Sequence, residues 1–303
     1  MKPTRYGDVM AAIAFLIWGI LPLYYQFLPN AAMDELLALR VIASVPVGLL
    51  LIVVMKGSLP TWHQLFSDKR SLGFALLAGL LMCVSWYAFT WALTHEQVME
   101  ASLGFFISPL MIVAVGVIAL RETLSFGKKL GVVFAGIGLS YQIYQYGHAP
   151  YIALTMASFF ALYGLCKKQI KFDWSTCLFM EALLLTPVAI AYLVYKSMTM
   201  GSVALNADMS VFLLYLGSAP VTLLPLVFYS IAINHTSMSN VGLMQYIEPS
   251  LQFILAVLLF GELFDEVKAV SFGFIWLGLA FTALETLHSR YKRRRLELTP
   301  EGV

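Results

Sequence analysis

The sequence predicts an all-α membrane protein of ten transmembrane helices, built as two inverted five-helix repeats. Three observations predict it. The 303-residue chain is 60% hydrophobic and only 12% charged, about half the charge of a soluble domain, whose surface must face water. Apolar stretches long enough to cross a ~30 Å hydrocarbon core follow one another with few interruptions. The chain also matches itself at a shift of about 140 residues.

The spans read 6–28, 34–55, 71–94, 98–120 and 127–146, then 150–168, 174–195, 209–233, 238–260 and 267–288. Backbone groups in lipid must bond within their own segment, so the spans are expected to be helices. The first run follows Lys2 and Arg5 as a secretory leader would, but it continues too far and lacks a small-residue cleavage site, so it reads as a retained helix. Connections are short, with only 56–70 and 196–208 of any length, and leave no room for a soluble domain. The expected organisation is a first five-helix repeat over 1–147, a second over 148–290 and a basic cytoplasmic tail over 291–303.

Positive charge sets the orientation. With the N-terminus inside, the inner segments hold Lys2, Arg5, Lys56, Lys69, Arg70, Arg121, Lys128, Lys129, Lys167, Lys168, Lys171, Arg290, Lys292, Arg293, Arg294 and Arg295. The outer segments hold Lys196 and Lys268, and Arg40 lies within a span. That bias predicts cytoplasmic N- and C-termini in a bacterial inner membrane. The cluster from Arg290 to Arg295 reads as a topological anchor that also suits anionic lipid.

The repeat is the most informative feature. Residues 92–139 overlay 232–279 without a gap, so that His95 meets His235, Pro109 meets Pro249, Glu122 meets Glu262 and Gly138 meets Gly278. Nearly the same shift pairs Trp18-Gly19 with Tyr163-Gly164 and Pro46-Val47 with Pro187-Val188. Five spans per copy is an odd number, so the second copy enters the membrane upside down. Inverted repeats of this kind build many secondary transporters, with their sites between the halves near the midplane. Duplication by itself would also suit a channel or a scaffold.

Several function classes fall away. A net charge of +2 gives no reason to expect a nucleic-acid partner. Cys83, Cys166 and Cys177 lie in apolar stretches without CxxC spacing and read as buried thiols rather than a disulfide or metal set. Gly127-Lys128-Lys129 lacks the earlier glycine and the hydroxyl of a phosphate-binding loop, and neither H-E-x-x-H nor G-x-S-x-G occurs. No cofactor or metal is implied. The expected partners are a small-molecule substrate, the lipid bilayer and, if a carboxylate couples transport, protons; the sequence sets no oligomeric state.

Charges inside spans cost ~2.5–3.5 kcal/mol even on lenient insertion scales, so each calls for a reason. Glu248 lies ~15 Å deep at 1.5 Å per residue, with Gln245 and Gln252 on the same face at i−3 and i+4. Such a stripe must face protein or water. It reads either as a substrate or proton site or as an interhelical hydrogen-bond set. Pro249 and its mate Pro109 are expected helix kinks. Arg40 and Glu181 occupy equivalent positions six residues before Pro46 and Pro187, and are read as an ion pair between helices or as substrate contacts. Glu100, Gly104 and Ser108 share a face of the fourth span, with Glu100 near enough to its end to snorkel. Trp86, Tyr87 and Trp91 suit a flat or cationic substrate. Tyr24, Tyr25, Tyr141, Tyr144, Tyr146 and Tyr151 read as an interfacial belt, and Glu122 and Glu262 as caps.

The segments Phe15-Leu16-Ile17-Trp18-Gly19-Ile20, Met99-Glu100-Ala101-Ser102-Leu103-Gly104-Phe105-Phe106-Ile107-Ser108-Pro109-Leu110 and Gln245-Tyr246-Ile247-Glu248-Pro249 resemble the bacterial RarD family. So do Ala161-Leu162-Tyr163-Gly164 with Lys167-Lys168, and Phe274-Ile275-Trp276. The resemblance covers essentially the whole chain. It implies an inner-membrane permease of the drug/metabolite transporter superfamily with two EamA-type repeats, linked by name to chloramphenicol sensitivity. Two positions depart from the pattern that the resemblance implies: Leu39-Arg40 stands where a His-Arg pair is expected, and Glu248 stands where a glycine precedes the proline. Arg40, Glu100 and Glu181 match the pattern better. The expectation is therefore two inverted five-helix bundles around a central cavity, moving a small polar or amphipathic metabolite by alternating access, with export as the direction the family suggests. A membrane scaffold without transport is the alternative, followed by an intramembrane enzyme.

Overall fold

A computed structural model describes residues 5–28, 31–58, 60–61, 65–95, 97–147, 150–259 and 266–298. The first repeat holds α1 (Arg5–Ile20), α2 (Pro22–Tyr25), α3 (Met33–Lys56), α4 (Lys69–Thr94), α5 (Val98–Leu120) and α6 (Phe126–Tyr146). The second holds α7 (Tyr151–Lys167), α8 (Trp174–Thr199), α9 (Met209–His235), α10 (Met238–Gln245), α11 (Ile247–Leu258) and α12 (Glu266–Leu298). Seven segments are long and apolar enough to cross a membrane: Tyr6–Tyr25, Met33–Lys56, Lys69–Ala92, Glu100–Leu120, Trp174–Thr199, Met209–His235 and Glu266–Glu285. The 21 residues of α6, the 17 of α7 and the α10–α11 pair complete the ten helical units.

Chemistry at the helix ends explains the boundaries. Gly57 takes the left-handed conformation that closes α3, where its N–H reaches the Val53 carbonyl. Asp68 and Asp173 cap α4 and α8 with their carboxylates. The final helix runs on to Leu298, past the expected end at 288, because its Lys, Arg, Glu and Leu residues all favour helix and Pro300 is the first breaker. Glu262 and residues 299–303 of the basic tail lie outside the described residues.

Two spans that read as continuous are broken, and both breaks follow from proline. Pro22 has no N–H for the Trp18 carbonyl, which accepts from Leu21 instead (3.1 Å), and the chain restarts as α2. Pro249 likewise offers nothing to the Gln245 carbonyl, and the ninth span breaks at Tyr246 into α10 and α11. Its mate Pro109 behaves differently, since α5 runs unbroken from Val98 to Leu120. The expected kink at Pro249 is thus a full break in the helix, whereas the helix continues through Pro109.

The repeats are interleaved rather than set side by side as two bundles. Helix α1 packs on α9 as its mate α7 packs on α4; α1 packs on α10 and α11 as α7 packs on α5. Helices α3 and α8, α5 and α10, and α6 and α12 each meet their own mate. Contacts that exchange in this way define a two-fold axis between the halves. It holds at single residues: a Cβ on Gly138 would lie 2.8 Å from the Ser271 carbonyl, and one on Gly278 would lie 3.0 Å from Gly131 Cα. Gly138 and Gly278 are mates at the 140-residue shift, as are Gly131 and Ser271. With five spans per copy, this axis lies in the membrane plane.

The α3–α8 pair is fastened at both ends. At one end Lys56 Nζ donates to Asp173 Oδ2 (2.6 Å) and Thr176 Oγ1 (3.0 Å). At the other, Lys196 bridges Asp34 and Glu35, the latter at 3.2 Å. Burial pushes the Asp173 carboxyl up, but hydrogen bonds from Lys56, Ser175 and Thr176 outweigh it and hold it well below the usual carboxylate range. Because its folded value is depressed, Asp173 stabilises the protein above the ordinary carboxylate pKa, and that contribution fades as pH falls below it. The difference in melting temperature between wild type and Asp173→Asn should therefore shrink as the pH of a detergent solution falls from ~5 toward ~3. Close packing gives a second expectation. A Cβ on Gly242 would meet the Pro109 carbonyl at 2.7 Å, whereas one on Gly136 meets nothing within 4 Å. Gly242→Ala should cost about 1–3 kcal/mol in thermal unfolding, and Gly136→Ala should leave the transition unchanged.

Candidate functional site

Both broken spans face one cavity of about 360 Å³. Leu21, Pro22 and Tyr25 contribute from the first break, Gln245 and Glu248 from the second, and Met33 and Leu37 from α3. The cavity therefore occupies the half of the protein nearer the 26–32 connection. Its aromatic wall is Trp18, Trp86, Phe89, Phe105 and Phe160, and its polar wall is Ser108, Gln245, Glu248 and Gln252. The polar wall crosses the repeat. Gln245 Nε2 donates to Ser108 Oγ (3.1 Å), while the Ser108 hydroxyl lies 3.3 Å from Gln245 Oε1. Glu248 is buried, and among the described residues its carboxylate meets only the Gln252 amide, at 3.5 Å. Ser108 and Glu248 are mates at the 140-residue shift, so equivalent positions carry a hydroxyl and an acid.

Arg40 lines the same cavity and is 6% exposed. Its guanidinium carbon sits 4.1 Å above the Trp86 ring, and Nη2 donates to the Tyr25 hydroxyl (2.9 Å). Nε and Nη1 are buried and meet no hydrogen-bond partner among the described residues. A guanidinium inside a membrane normally sits against a carboxylate; this one meets a tyrosine hydroxyl and a tryptophan ring, and two of its donors have no partner among the described residues.

A smaller hollow of about 90 Å³ lies behind it. Leu37, Arg40 and Trp86 line both spaces, and Tyr163 and Glu181 line the smaller one. Glu181 does not pair with Arg40. Its Oε1 accepts from Lys167 Nζ (2.7 Å) and from Cys177 Sγ (3.1 Å), and Tyr163 donates to Oε2 at 3.4 Å. The Lys167 side chain is 1% exposed.

A family model described as the EamA-like transporter family matches residues 5–142 and again 149–284. The chain belongs to that family. It is 36% identical to Protein RarD of Salmonella typhimurium, across 96% of this chain and 99% of that one. It is 34% identical to an uncharacterized transporter of Vibrio cholerae, across 97% of both. A solved crystal structure superposes with a TM-score of 0.69 at 18% identity, covering 92% of this chain and 97% of its own, a likeness of fold alone. The protein is thus a multi-pass membrane transporter of the drug/metabolite class with bacterial relatives.

On this EamA framework the predicted residues divide. Arg40, Trp86, Ser108, Gln245, Glu248 and Gln252 converge on the large cavity. Glu100 does not snorkel. It is buried and accepts from the backbone N–H groups of Ile152 (2.8 Å) and Ala153 (3.2 Å), capping α7 in the other repeat. Trp91 is not part of the cavity wall and stacks on His95 at 4.2 Å. Tyr25, read as an interfacial ring, belongs to the Arg40 site, and Tyr24 donates to the Leu214 carbonyl (2.6 Å). Lys167 was hidden by its place at a span end, where a lysine reads as a topological charge, although the span 150–168 already enclosed it. Since Glu100 acts on a helix end, Glu100→Ala should lower thermal stability by about 1–2 kcal/mol while leaving the affinity of the folded carrier for its substrate unchanged in a binding titration.

Proposed function

We propose that the protein is a secondary carrier of the bacterial inner membrane that moves a small organic anion with a flat apolar body by alternating access between its repeats. The observation that carries this reading is the Arg40 guanidinium, buried at the cavity with Nε and Nη1 free. Anion binding there turns an uncompensated intramembrane cation into an ion pair, a gain a neutral molecule does not bring. The aromatic wall suits a ring, and Glu248 beside two glutamine amides suits a hydrogen-bond donor elsewhere on the substrate. A volume of about 360 Å³ lies within the 300–1,000 Å³ usual for small-molecule sites. The distribution of Lys and Arg supports cytoplasmic termini, which turns the cavity toward the outer face. Export is the direction family analogy favours. The scaffold alternative asks for a packed centre, and the cavity speaks against it.

Para-aminobenzoate supplies carboxylate, ring and donor together and serves as the probe. Proteoliposomes should take up radiolabelled para-aminobenzoate in a saturable manner and should not take up the neutral para-aminobenzamide. Arg40→Met should reduce that flux by about tenfold or more, the loss expected when one partner of a buried charge pair is removed, without lowering folded yield. Equal flux of the two probes would overturn the anion reading.

A further inference from the structure

The small hollow behind Arg40 sets a charge problem that the carrier must solve on every cycle. Glu181 pairs with one buried cation, Lys167, and lines one hollow with a second, Arg40. With an anionic substrate on Arg40, as proposed above, each cation has a partner and Glu181 stays on Lys167. With the cavity empty, Glu181 serves only one of them, and the other must reach water.

The two cations are not equally able to do so. Lys167 is the last residue of α7, beside the 168–173 turn. A modest parting of α7 and α8 at that end would let its flexible stem carry the ammonium into water. Arg40 lies seven residues inside α3, ~10 Å from its end by helical rise, with its guanidinium held over Trp86. Its stem has no such exit, and its guanidinium can meet water only through the cavity that the anion fills. Arg40 and Glu181 line the same hollow and hold equivalent places in the repeats, six residues before Pro46 and Pro187.

We infer that Glu181 exchanges partners between Lys167 and Arg40, and that this exchange displaces the bound anion and opens the α7–α8 end of the protein. The inference rests on the anion reading of the cavity. The carboxylate leaves Lys167, takes the guanidinium, displaces the anion into the outer-facing cavity and frees a lysine at the opposite mouth. Substrate returning to Arg40 sends Glu181 back and closes that end. Glu181 thereby makes release conditional on a negative charge that it can replace one for one.

Cys177 reports the step without any transport measurement. It is 4% exposed, and its Sγ lies 3.1 Å from Glu181 Oε1 and 3.6 Å from Lys167 Nζ. In a Cys83→Ala, Cys166→Ala carrier in liposomes, N-ethylmaleimide should label Cys177, and para-aminobenzoate should slow the labelling by about fivefold or more, the lower end of ordinary coupling between sites. Arg40→Met should label at the slow rate with or without the probe, because Glu181 then has only Lys167. That variant removes a buried charge with no acidic partner and is expected to fold; Arg40→Gln makes the same test if it does not. Arg40→Lys should restore the response to the probe. Glu181→Gln should label fast under every condition. Labelling of the Arg40 variants at the probe-free rate of the parent would overturn the exchange, even if flux still requires Arg40. Slow labelling in those variants with a parent indifferent to para-aminobenzoate would uphold the exchange and overturn the substrate class.

Discussion

The organising constraint is that a charge taken out of water into an apolar bundle must find a donor or a counter-charge in the protein itself. The chain meets it repeatedly in one way, with carboxylates from one segment holding backbone N–H groups elsewhere. Glu100 holds Ile152 and Ala153, Glu122 holds Met238 and Ser239, Glu285 holds Gly127, and Glu35 holds Val203 and Ala204. Each acid neutralises the positive end of a helix or turn and welds two distant segments. Against that background Arg40 and Glu248 stand apart. Among the described residues, one keeps two donors idle and the other meets a single side-chain amide.

The two-fold relation places these groups. A symmetric framework would put like opposite like, and the backbone follows that rule closely where Gly131 meets Gly278 and Gly138 meets Ser271. The side chains at the centre break it: serine opposes glutamate, and arginine opposes glutamate, at equivalent positions. Pro249 breaks it further by interrupting a helix whose partner, α5, continues past Pro109. The interruptions and the mismatched polar groups fall in the same region, where a carrier with two access states needs irregular backbone and unequal chemistry.

Much of this was legible in the sequence. Ten spans, five to a repeat, follow from hydropathy and the 140-residue shift, and the Gln245, Glu248 and Gln252 stripe was visible because helical spacing puts them on one face. Helical spacing records which residues share a face but not what that face meets. Glu100 could therefore be seen as a costly acid near a helix end, yet its partner at Ala153 is 53 residues away and on the other repeat. Lys167 and Tyr25 were misread for the same reason. At the edge of a span the residue types that anchor a helix to the interface also serve as buried partners, and only packing separates the two uses. The break at Tyr246 was half legible: Pro249 marks the site, but whether the helix parts or continues is decided by its neighbours, since α5 continues through Pro109; the break at Leu21 falls inside a span that reads as continuous.

The interleaving of the repeats has a consequence for how the chain is made. When residues 1–147 have entered the membrane, α1 lacks α9, α3 lacks α8 and α6 lacks α12, so the surfaces that should be buried face lipid or one another. The close-packed glycines Gly127 and Gly138 on α6 wait for α12 to supply their partners. Biogenesis must hold an incomplete first half in the bilayer until the helices of the second repeat have been made, and α12 completes the packing of α6.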